Sequence, residues 1–303
     1  MLSQDIEDYL ALRRAAGFEL KVQAGLLRHF ARFAAERAQA HVCRETAIDW
    51  AAQAPSPYQR ENRLATVRVF ARHARAEDAR HELIPRQVFA GRRRRTFPYI
   101  FSADELQQLL TATARLRSRG SLRPHTYYTL FGLLAVTGLR ISEAMRLRLD
   151  DVAADGLLVR MTKFRKTRWV PLHPSTGSVL ERYLEHRNAF ASDDDHVFIS
   201  HTGQPLSYAM INGTFHYLVR SLQLEQDPDA PRPRIHNLRH GFAVRALERC
   251  QGPADDVARH TLALSTYLGH AHVADTYWYL QATPLLVRRI ADACAASETG
   301  GAL

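Results

Sequence analysis

The sequence predicts a mainly α-helical protein with one small antiparallel β-sheet, divided into two domains. The chain has 303 residues, more than one domain usually contains. Apolar residues recur at helical spacing through most of its length. Between residues 150 and 171 the period changes to two short runs of the kind that form strands. Together these observations predict a mainly helical chain in which two short strands are joined by a turn.

Residues 1–82 are predicted to form a helical domain. A first helix ends at Gly17, a second covers about residues 22–38, and a short third one closes near Trp50 before a Pro-Ser-Pro turn. A fourth helix covers about residues 58–75 and carries three arginines at i, i+4 and i+7. Such a stripe is most often a solvated face, and the alternative is a surface that binds the phosphates of a nucleic acid backbone. The three residues are Arg68, Arg72 and Arg75.

Residues 83–99 are predicted to be a basic linker. Helical periodicity stops there, and prolines, Gly91 and a run of four arginines take its place. The run is either solvated coil or a strap that crosses phosphates between two lobes. It consists of Arg92, Arg93, Arg94 and Arg95.

Residues 100–303 are predicted to form the second domain. Ser102 and Glu105 fit a capping box at its first helix, and a long apolar helix stops at Gly138, just before Arg140. Two strands then flank a highly charged turn at residues 162–167. Further helices are predicted at about residues 207–222, 236–250, 254–267 and 283–296.

Composition narrows the classes of function. The net charge of +10 is typical of a protein with a polyanionic partner, although solubility alone also explains a basic chain. Three distant cysteines predict neither a disulfide framework nor a metal site, which favours a reducing cytoplasm. Because the longest apolar runs are too short to span a bilayer and the N-terminus is polar, we expect no membrane segment and no signal peptide.

One set of residues carries most of the chemistry. It consists of Arg140, the His236-x-x-Arg239 step, the Gly269-His270 pair and Tyr279. Singly, each has an ordinary explanation, such as an ion pair of Arg140 with Glu143, a helix cap or a core tyrosine. In this order and at this spacing, the set resembles the tyrosine recombinases of the phage integrase family.

That resemblance implies a helical DNA-clamping domain followed by an α+β catalytic domain that cuts and rejoins DNA. It assigns Tyr279 as the nucleophile, with Tyr277 and Tyr267 as rivals, and a 3′-phosphotyrosyl link as the intermediate. Arginines suit such a site because a guanidinium stays charged and binds two phosphate oxygens at once. The resemblance assigns phosphate-oxygen clamping to Arg140 and Arg239, and hydrogen bonding or proton transfer to His236 and His270.

The resemblance also places a lysine that protonates the leaving 5′ oxygen in the turn between the two strands. Lys163 falls at the matching place, with Lys166 as the substitute. The turn TKFRKT is bulkier and more charged than the glycine-containing turn usual in the family. Arg165 and Lys166 join the arginines above as expected DNA contacts.

The expected partners are double-stranded DNA and further copies of the chain, as a homotetramer or a hetero-assembly with related recombinases on paired sites. No metal and no nucleotide cofactor is expected. The segments TKFRKTRWVPLHPST and DTYWYL resemble recombinases of bacterial transposable elements, so we expect a cytoplasmic, nucleoid-associated bacterial protein. The alternatives are a type IB-like topoisomerase and a catalytically inactive DNA-binding protein.

Overall fold

The computed structural model describes residues 2–86, 88–89, 98–116, 121–160, 167–190, 192–224, 231–250, 254–269, 272, 276 and 279. The chain divides into two compact units, Met1–Arg95 and Thr96–Leu303. The described residues are mostly helical and include a three-stranded antiparallel sheet, which confirms the predicted fold class.

The N-terminal unit is built from helices that each bury an apolar stripe in one core. On the second helix Leu27 and Phe30 are fully buried, and the ring of Phe30 lies 5.4 Å from that of Trp50 on the third. The fourth helix begins after Ser56, whose hydroxyl accepts a hydrogen bond from the backbone N–H of Gln59. The helices are α1 (Leu2–Ala15), α2 (Lys21–Ala35), α3 (Arg44–Ala52) and α4 (Pro57–Glu77).

The core of this unit continues past residue 83. Ile84 is buried in it, and Val88 and Phe89 pack against it. The start of the segment predicted as a linker, 83–99, is therefore packed against the N-terminal unit. Because the apolar residues beside this proline follow no helical period, periodicity could not predict this packing. The four arginines at 92–95 lie outside the described residues.

The C-terminal unit contains further helices and the sheet. Its first helix carries the predicted capping box: Ser102 Oγ accepts from the N–H of Glu105, and Glu105 Oε2 accepts from the N–H of Ser102. The helices are α5 (Ala103–Ala112), α6 (Arg123–Thr137), α7 (Ile141–Ala144), α8 (Pro174–Asn188), α9 (Tyr208–Ser221), α10 (His236–Glu248) and α11 (Ala254–Leu268). The predicted helix at 283–296 lies outside the described residues.

The sheet runs in the order β1–β2–β3, with both pairs antiparallel. The two predicted strands are β2 (Gly156–Val159) and β3 (Arg168–Pro171), paired with Leu157 opposite Val170. The strand β1 (Val152–Ala153) was not predicted, since two residues show no period. The charged turn predicted at residues 162–167 lies, except for Thr167, outside the described residues.

The end of α6 positions the site. Gly138 ends this helix in the left-handed region, at φ +63°. A Cβ at Gly138 would lie 2.5 Å from Cδ1 of Phe242 on α10, so only glycine allows the two elements to approach this closely. The next residues, Leu139 and Arg140, then lead directly into α7.

Candidate active site

Arg140 lies at the start of α7, and its guanidinium group is held by two acceptors. Nη1 donates to Oε1 of Glu143 at 2.8 Å, and Nη2 donates to the carbonyl oxygen of Gly269 at 2.9 Å. A Cβ at Gly269 would lie 3.6 Å from Nη1 of Arg140 and 3.6 Å from Nη1 of Arg168. The backbone at Gly269 therefore borders two guanidinium groups.

Glu143 links these two arginines. Its carboxylate accepts from Arg140 and, in a two-pronged contact of 3.0 and 2.8 Å, from Nη1 and Nη2 of Arg168. Burial, the largest single effect, favours the neutral acid. The hydrogen bonds from Arg168 and from the N–H of Arg140, with the charge of Arg168, outweigh it and lower the pKa of Glu143 to about 2. Glu143 is thus a buried carboxylate that fixes both arginines.

Arg239 lies on α10 with 2% of its surface exposed. Nη1 donates to the carbonyl oxygen of Gly138 at 2.6 Å, and Nη2 donates to that of Leu268 at 2.7 Å. Burial, with the charge of Arg140, lowers the pKa of Arg239 to about 10, so the group stays protonated near neutral pH. The side chain therefore ties the ends of α6 and α11 to α10.

His236 is the first residue of α10, one turn before Arg239. Its side chain is accessible to solvent. Enough protein nevertheless surrounds it that desolvation has the largest effect on its pKa. Desolvation, followed by the charges of Arg239 and Arg140, lowers the pKa of His236 to about 4. The imidazole is therefore neutral at physiological pH and available to hydrogen-bond a phosphate oxygen.

Tyr279 packs its ring into a small apolar cluster with Val244 and Leu247 of α10 and Leu268 of α11. Its hydroxyl oxygen lies 2.9 Å from Nδ1 of His240. It is also close enough to Arg239 for a phenolate there to raise the pKa of that arginine. The tyrosine hydroxyl therefore lies beside the helix that carries His236 and Arg239.

Comparison with known proteins identifies the family. Residues 100–285 match the sequence profile of the phage integrase family. A putative integrase/recombinase, y4rB of Sinorhizobium fredii, is 41% identical over 296 residues, which cover 94% of each chain. The chain belongs to the phage integrase family. Tyrosine recombinase XerD of Caulobacter vibrioides is 31% identical over 238 residues, 76% of this chain and 73% of XerD.

Solved structures of integrases share the fold. The Tn1549 transposon integrase in complex with transposon right end DNA aligns with a TM-score of 0.69 at 18% identity, covering 100% of this chain and 99% of that one. The XerH site-specific recombinase bound to a palindromic difH substrate aligns with the same TM-score, 18% identity, and coverage of 98% and 85%. At this identity the likeness is one of fold.

Within this integrase-family chain, several predicted site residues come together. Arg140, His236, Arg239 and Tyr279 are neighbours in the described structure, although up to 139 positions separate them in sequence. The rival Tyr267 is half-buried, and its hydroxyl donates to the carbonyl oxygen of Thr137 at 3.0 Å. Besides the four arginines at 92–95, four predicted residues and the other rival lie outside the described residues: Lys163, Arg165, Lys166, His270 and Tyr277.

The predicted basic stripe on α4 is not uniform. Arg68 donates to the carbonyl oxygen of Pro85 and to Oε1 of Glu61, each at 3.0 Å, and its side chain is 12% exposed. Arg75 is exposed and donates to the carbonyl oxygens of Ala79 and His81. Arg72 is also exposed. The stripe thus contains one partly buried arginine and two exposed ones.

Three residues of the site and one surface beside it were not predicted as functional from the sequence. Arg168 and His240 were not predicted, and Glu143 was considered only as an ion-pair partner. His240 did carry a signal, since it follows Arg239 and lies one turn after His236 on the same helix. The surface is a recess of about 680 Å³ that adjoins His236. Its lining includes His216, Arg220, Arg232 and Arg234.

In the part of the chain that the structure describes, no helix is both long and apolar enough to cross a membrane.

Proposed function

We propose that this protein is a site-specific DNA recombinase in which Tyr279 attacks a scissile phosphate, forms a 3′-phosphotyrosyl link and frees a 5′ hydroxyl. The chain is a DNA strand transferase of the tyrosine recombinase and integrase type, as its family and relatives indicate. The assignment of Tyr279 rests on one observation above the others. Its hydroxyl lies beside α10, the helix that also presents His236 and Arg239.

The arginines would lower the barrier by binding charge that develops on the phosphate oxygens. Arg140 and Arg239 are already fixed by Glu143 and by backbone carbonyls, so the protein does not have to order them during the reaction. Preorganised donors of this kind contribute about 10²–10³ each to the rate. His236, neutral because its pKa is lowered, would hydrogen-bond or exchange a proton with the same phosphate, and His270 would take a second such position.

The leaving 5′ oxygen needs a proton, and we propose Lys163 as its source, with Lys166 as the alternative. A bridging sulfur in place of that oxygen leaves as a thiolate, whose thiol pKa is about 8.5, far below that of an alcohol. Lys163→Ala should therefore be slow on ordinary DNA and largely rescued on a 5′-bridging phosphorothiolate. Rescue of Lys166→Ala instead would move the role to Lys166.

Duplex DNA would be bound through basic surfaces. The recess beside His236 supports this, because exposed Arg220, Arg232 and Arg234 lie around a residue of the site. Phosphate binding by arginines releases counterions and adds affinity without reading sequence. We extend the role to the exposed arginines of α4, the run at 92–95, Arg165 and Lys166.

Strand exchange needs two duplexes, so we propose a homotetramer, or a hetero-assembly with related recombinases, on paired sites. The segment 283–303 would dock on a neighbouring protomer. Its removal should reduce paired-site complexes in a native gel while binding to one site persists; unchanged pairing would contradict this role. We place the protein with the nucleoid in the bacterial cytoplasm, as the product of a transposable element.

Two assays separate this function from its alternatives. A recombinase should exchange strands only between paired specific sites, whereas a topoisomerase of the same chemistry would relax any supercoiled plasmid. A catalytically inactive DNA-binding protein would form no covalent complex on a nicked suicide substrate. We expect exchange at paired sites from the flanks of the native locus, together with a covalent complex.

A further inference from the structure

A histidine that has no assigned role lies against the hydroxyl of Tyr279. Nδ1 of His240 is 2.9 Å from the tyrosine oxygen, and the two ring centroids are 5.3 Å apart. We propose that His240 is the general base that takes the phenol proton as Tyr279 attacks the phosphate. This inference rests on the proposed function, because it takes Tyr279 as the nucleophile.

The helix α10 holds His240 in place for this role. His236 and His240 are one turn apart, and their rings meet edge to face at 4.5 Å. The ring of Tyr279 packs in the apolar cluster with Val244 and Leu247, so the tyrosine is anchored while its hydroxyl faces the histidine. The anchored ring and the fixed helix keep donor and acceptor together.

The tyrosine must lose its proton in order to attack, so the site requires a group that accepts it. A phenol with a pKa near 10 is ionised in only about one molecule in a thousand at pH 7. A general base must lie about 2.6–3.2 Å from the proton's oxygen, and 2.9 Å meets that requirement. Proton transfer to a positioned base is worth about 10²–10⁴ in rate, and imidazole is the side chain best suited to accept a proton near neutral pH.

By accepting the phenol proton, His240 would become positive, and the neighbouring charges act on that step. The neighbouring His236 has its pKa lowered to about 4 and is neutral, so it adds no repulsion. The guanidinium groups of Arg239 and Arg140, whose charges act on the adjacent His236, oppose a further positive charge. Both donate to carbonyl oxygens, of Gly138, Leu268 and Gly269, whose dipoles offset part of that opposition. The charge on the attacked phosphate would offset more.

The step balances. The bond from the Tyr279 oxygen to phosphorus forms and the bond from phosphorus to the 5′ oxygen breaks. The phenol proton moves to Nδ1 of His240, and the departing 5′ oxygen takes a proton from the lysine proposed above or from water. When a 5′ hydroxyl reverses the reaction, its proton goes back to that group and His240 returns its own to the tyrosine.

The first test separates proton transfer from simple positioning. His240→Asn places an amide near the position of Nδ1, so it preserves a hydrogen bond to Tyr279 but accepts no proton. In single-turnover cleavage of a suicide substrate by the full chain, His240→Asn and His240→Ala should both be slower by about 10² or more. Wild-type cleavage by His240→Asn would overturn the role as a base.

A second test changes the phenol instead of the base. A fluorinated tyrosine at position 279 is more acidic and needs less help to ionise. In that background, the loss of rate from His240→Asn should be at least tenfold smaller than with ordinary tyrosine. An equal loss of rate in both backgrounds would show that His240→Asn acts through the structure, and it would overturn the proposal. Because the comparison is between two rate losses, it holds even if His240→Asn is less stable.

Two control variants show whether a negative result concerns packing, the proposed nucleophile or the proposed base. His260 on α11, half-buried with Nε2 3.0 Å from the carbonyl oxygen of Ala246 on α10, is a matched control, and His260→Asn should cleave at the wild-type rate. Slow cleavage by this control as well would attribute the losses to packing and overturn the inference. If Tyr279→Phe still forms the covalent complex, the proposed nucleophile fails and this inference with it. If the complex requires Tyr279 but His240→Asn cleaves normally, only this inference fails.

Discussion

The two units of the chain hold their arginines differently. In the C-terminal unit, Arg239 is 2% exposed and donates to two carbonyl oxygens, and Arg168 makes a two-pronged contact with buried Glu143. In the N-terminal unit, Arg72 is exposed on α4, and Arg28 pairs with a carboxylate at the surface. A fixed guanidinium can stabilise a transition state without being reordered, while an exposed one adds affinity through counterion release. Substitutions of arginines in the N-terminal unit should therefore change DNA affinity, and those in the C-terminal unit should change the rate of cleavage.

The largest expected effect comes from Arg140 and Arg239, whose guanidinium groups are held by fixed acceptors. Arg140→Ala and Arg239→Ala should each lower single-turnover cleavage by about 10² or more and change duplex affinity little, because many other contacts hold the DNA. Arg249→Ala removes an exposed charge directly after α10, the helix that carries Arg239. It is the control and should cleave normally. Parallel losses of affinity and cleavage would make these two arginines simple phosphate contacts and remove the contrast between the units.

Arg239→Ala should also destabilise the C-terminal unit. It leaves the buried carbonyl oxygens of Gly138 and Leu268 without these donors, which costs about 1–3 kcal/mol for each unsatisfied group. Arg140→Ala, whose guanidinium is more exposed, should destabilise less. Urea unfolding of both variants gives the comparison, and equal free energies of unfolding would contradict the role of Arg239 as a tie between α6 and α11.

The carboxylate that fixes two of these arginines gives a prediction about pH. The pKa of Glu143 is lowered from 4.5 to about 2 in the folded chain. Its contribution to stability is therefore fully present above pH 4.5 and is lost as the pH falls toward 2, up to about 3 kcal/mol. Glu143→Gln should lose this pH dependence between pH 4.5 and 2, and a curve parallel to that of the wild type would contradict the assignment.

The resemblance of the motifs to the phage integrase family predicted Arg140, His236, Arg239 and Tyr279, and the structure brings these four together. It could not predict the contacts that fix them. Glu143 and Arg168 are 25 residues apart, and His240 and Tyr279 are 39 apart, so each pairing depends on tertiary packing. Likewise, helical periodicity predicted α4 and its stripe, but not that Arg68 would be bound to Glu61 and to the carbonyl oxygen of Pro85.

The smallest expected effect distinguishes two arginines on one helix. Arg72→Ala removes an exposed charge, so it should weaken duplex binding a few-fold and reduce the salt slope of binding by about 1, with stability unchanged. Arg68→Ala should instead lower the free energy of unfolding by about 1 kcal/mol, because its side chain holds Glu61 and the Pro85 carbonyl. The reverse result would show that Arg68 is the DNA contact.

The central claim is that Tyr279 is the nucleophile, and one measurement tests it most directly. Full-length chains carrying Tyr279→Phe, Tyr277→Phe or Tyr267→Phe are incubated with a nicked suicide substrate, and the covalent protein–DNA complex is measured after denaturation. Tyr279→Phe should bind the duplex normally and leave no complex, while Tyr277→Phe and Tyr267→Phe should form it. A complex that persists in Tyr279→Phe and disappears in either of the others would contradict the account.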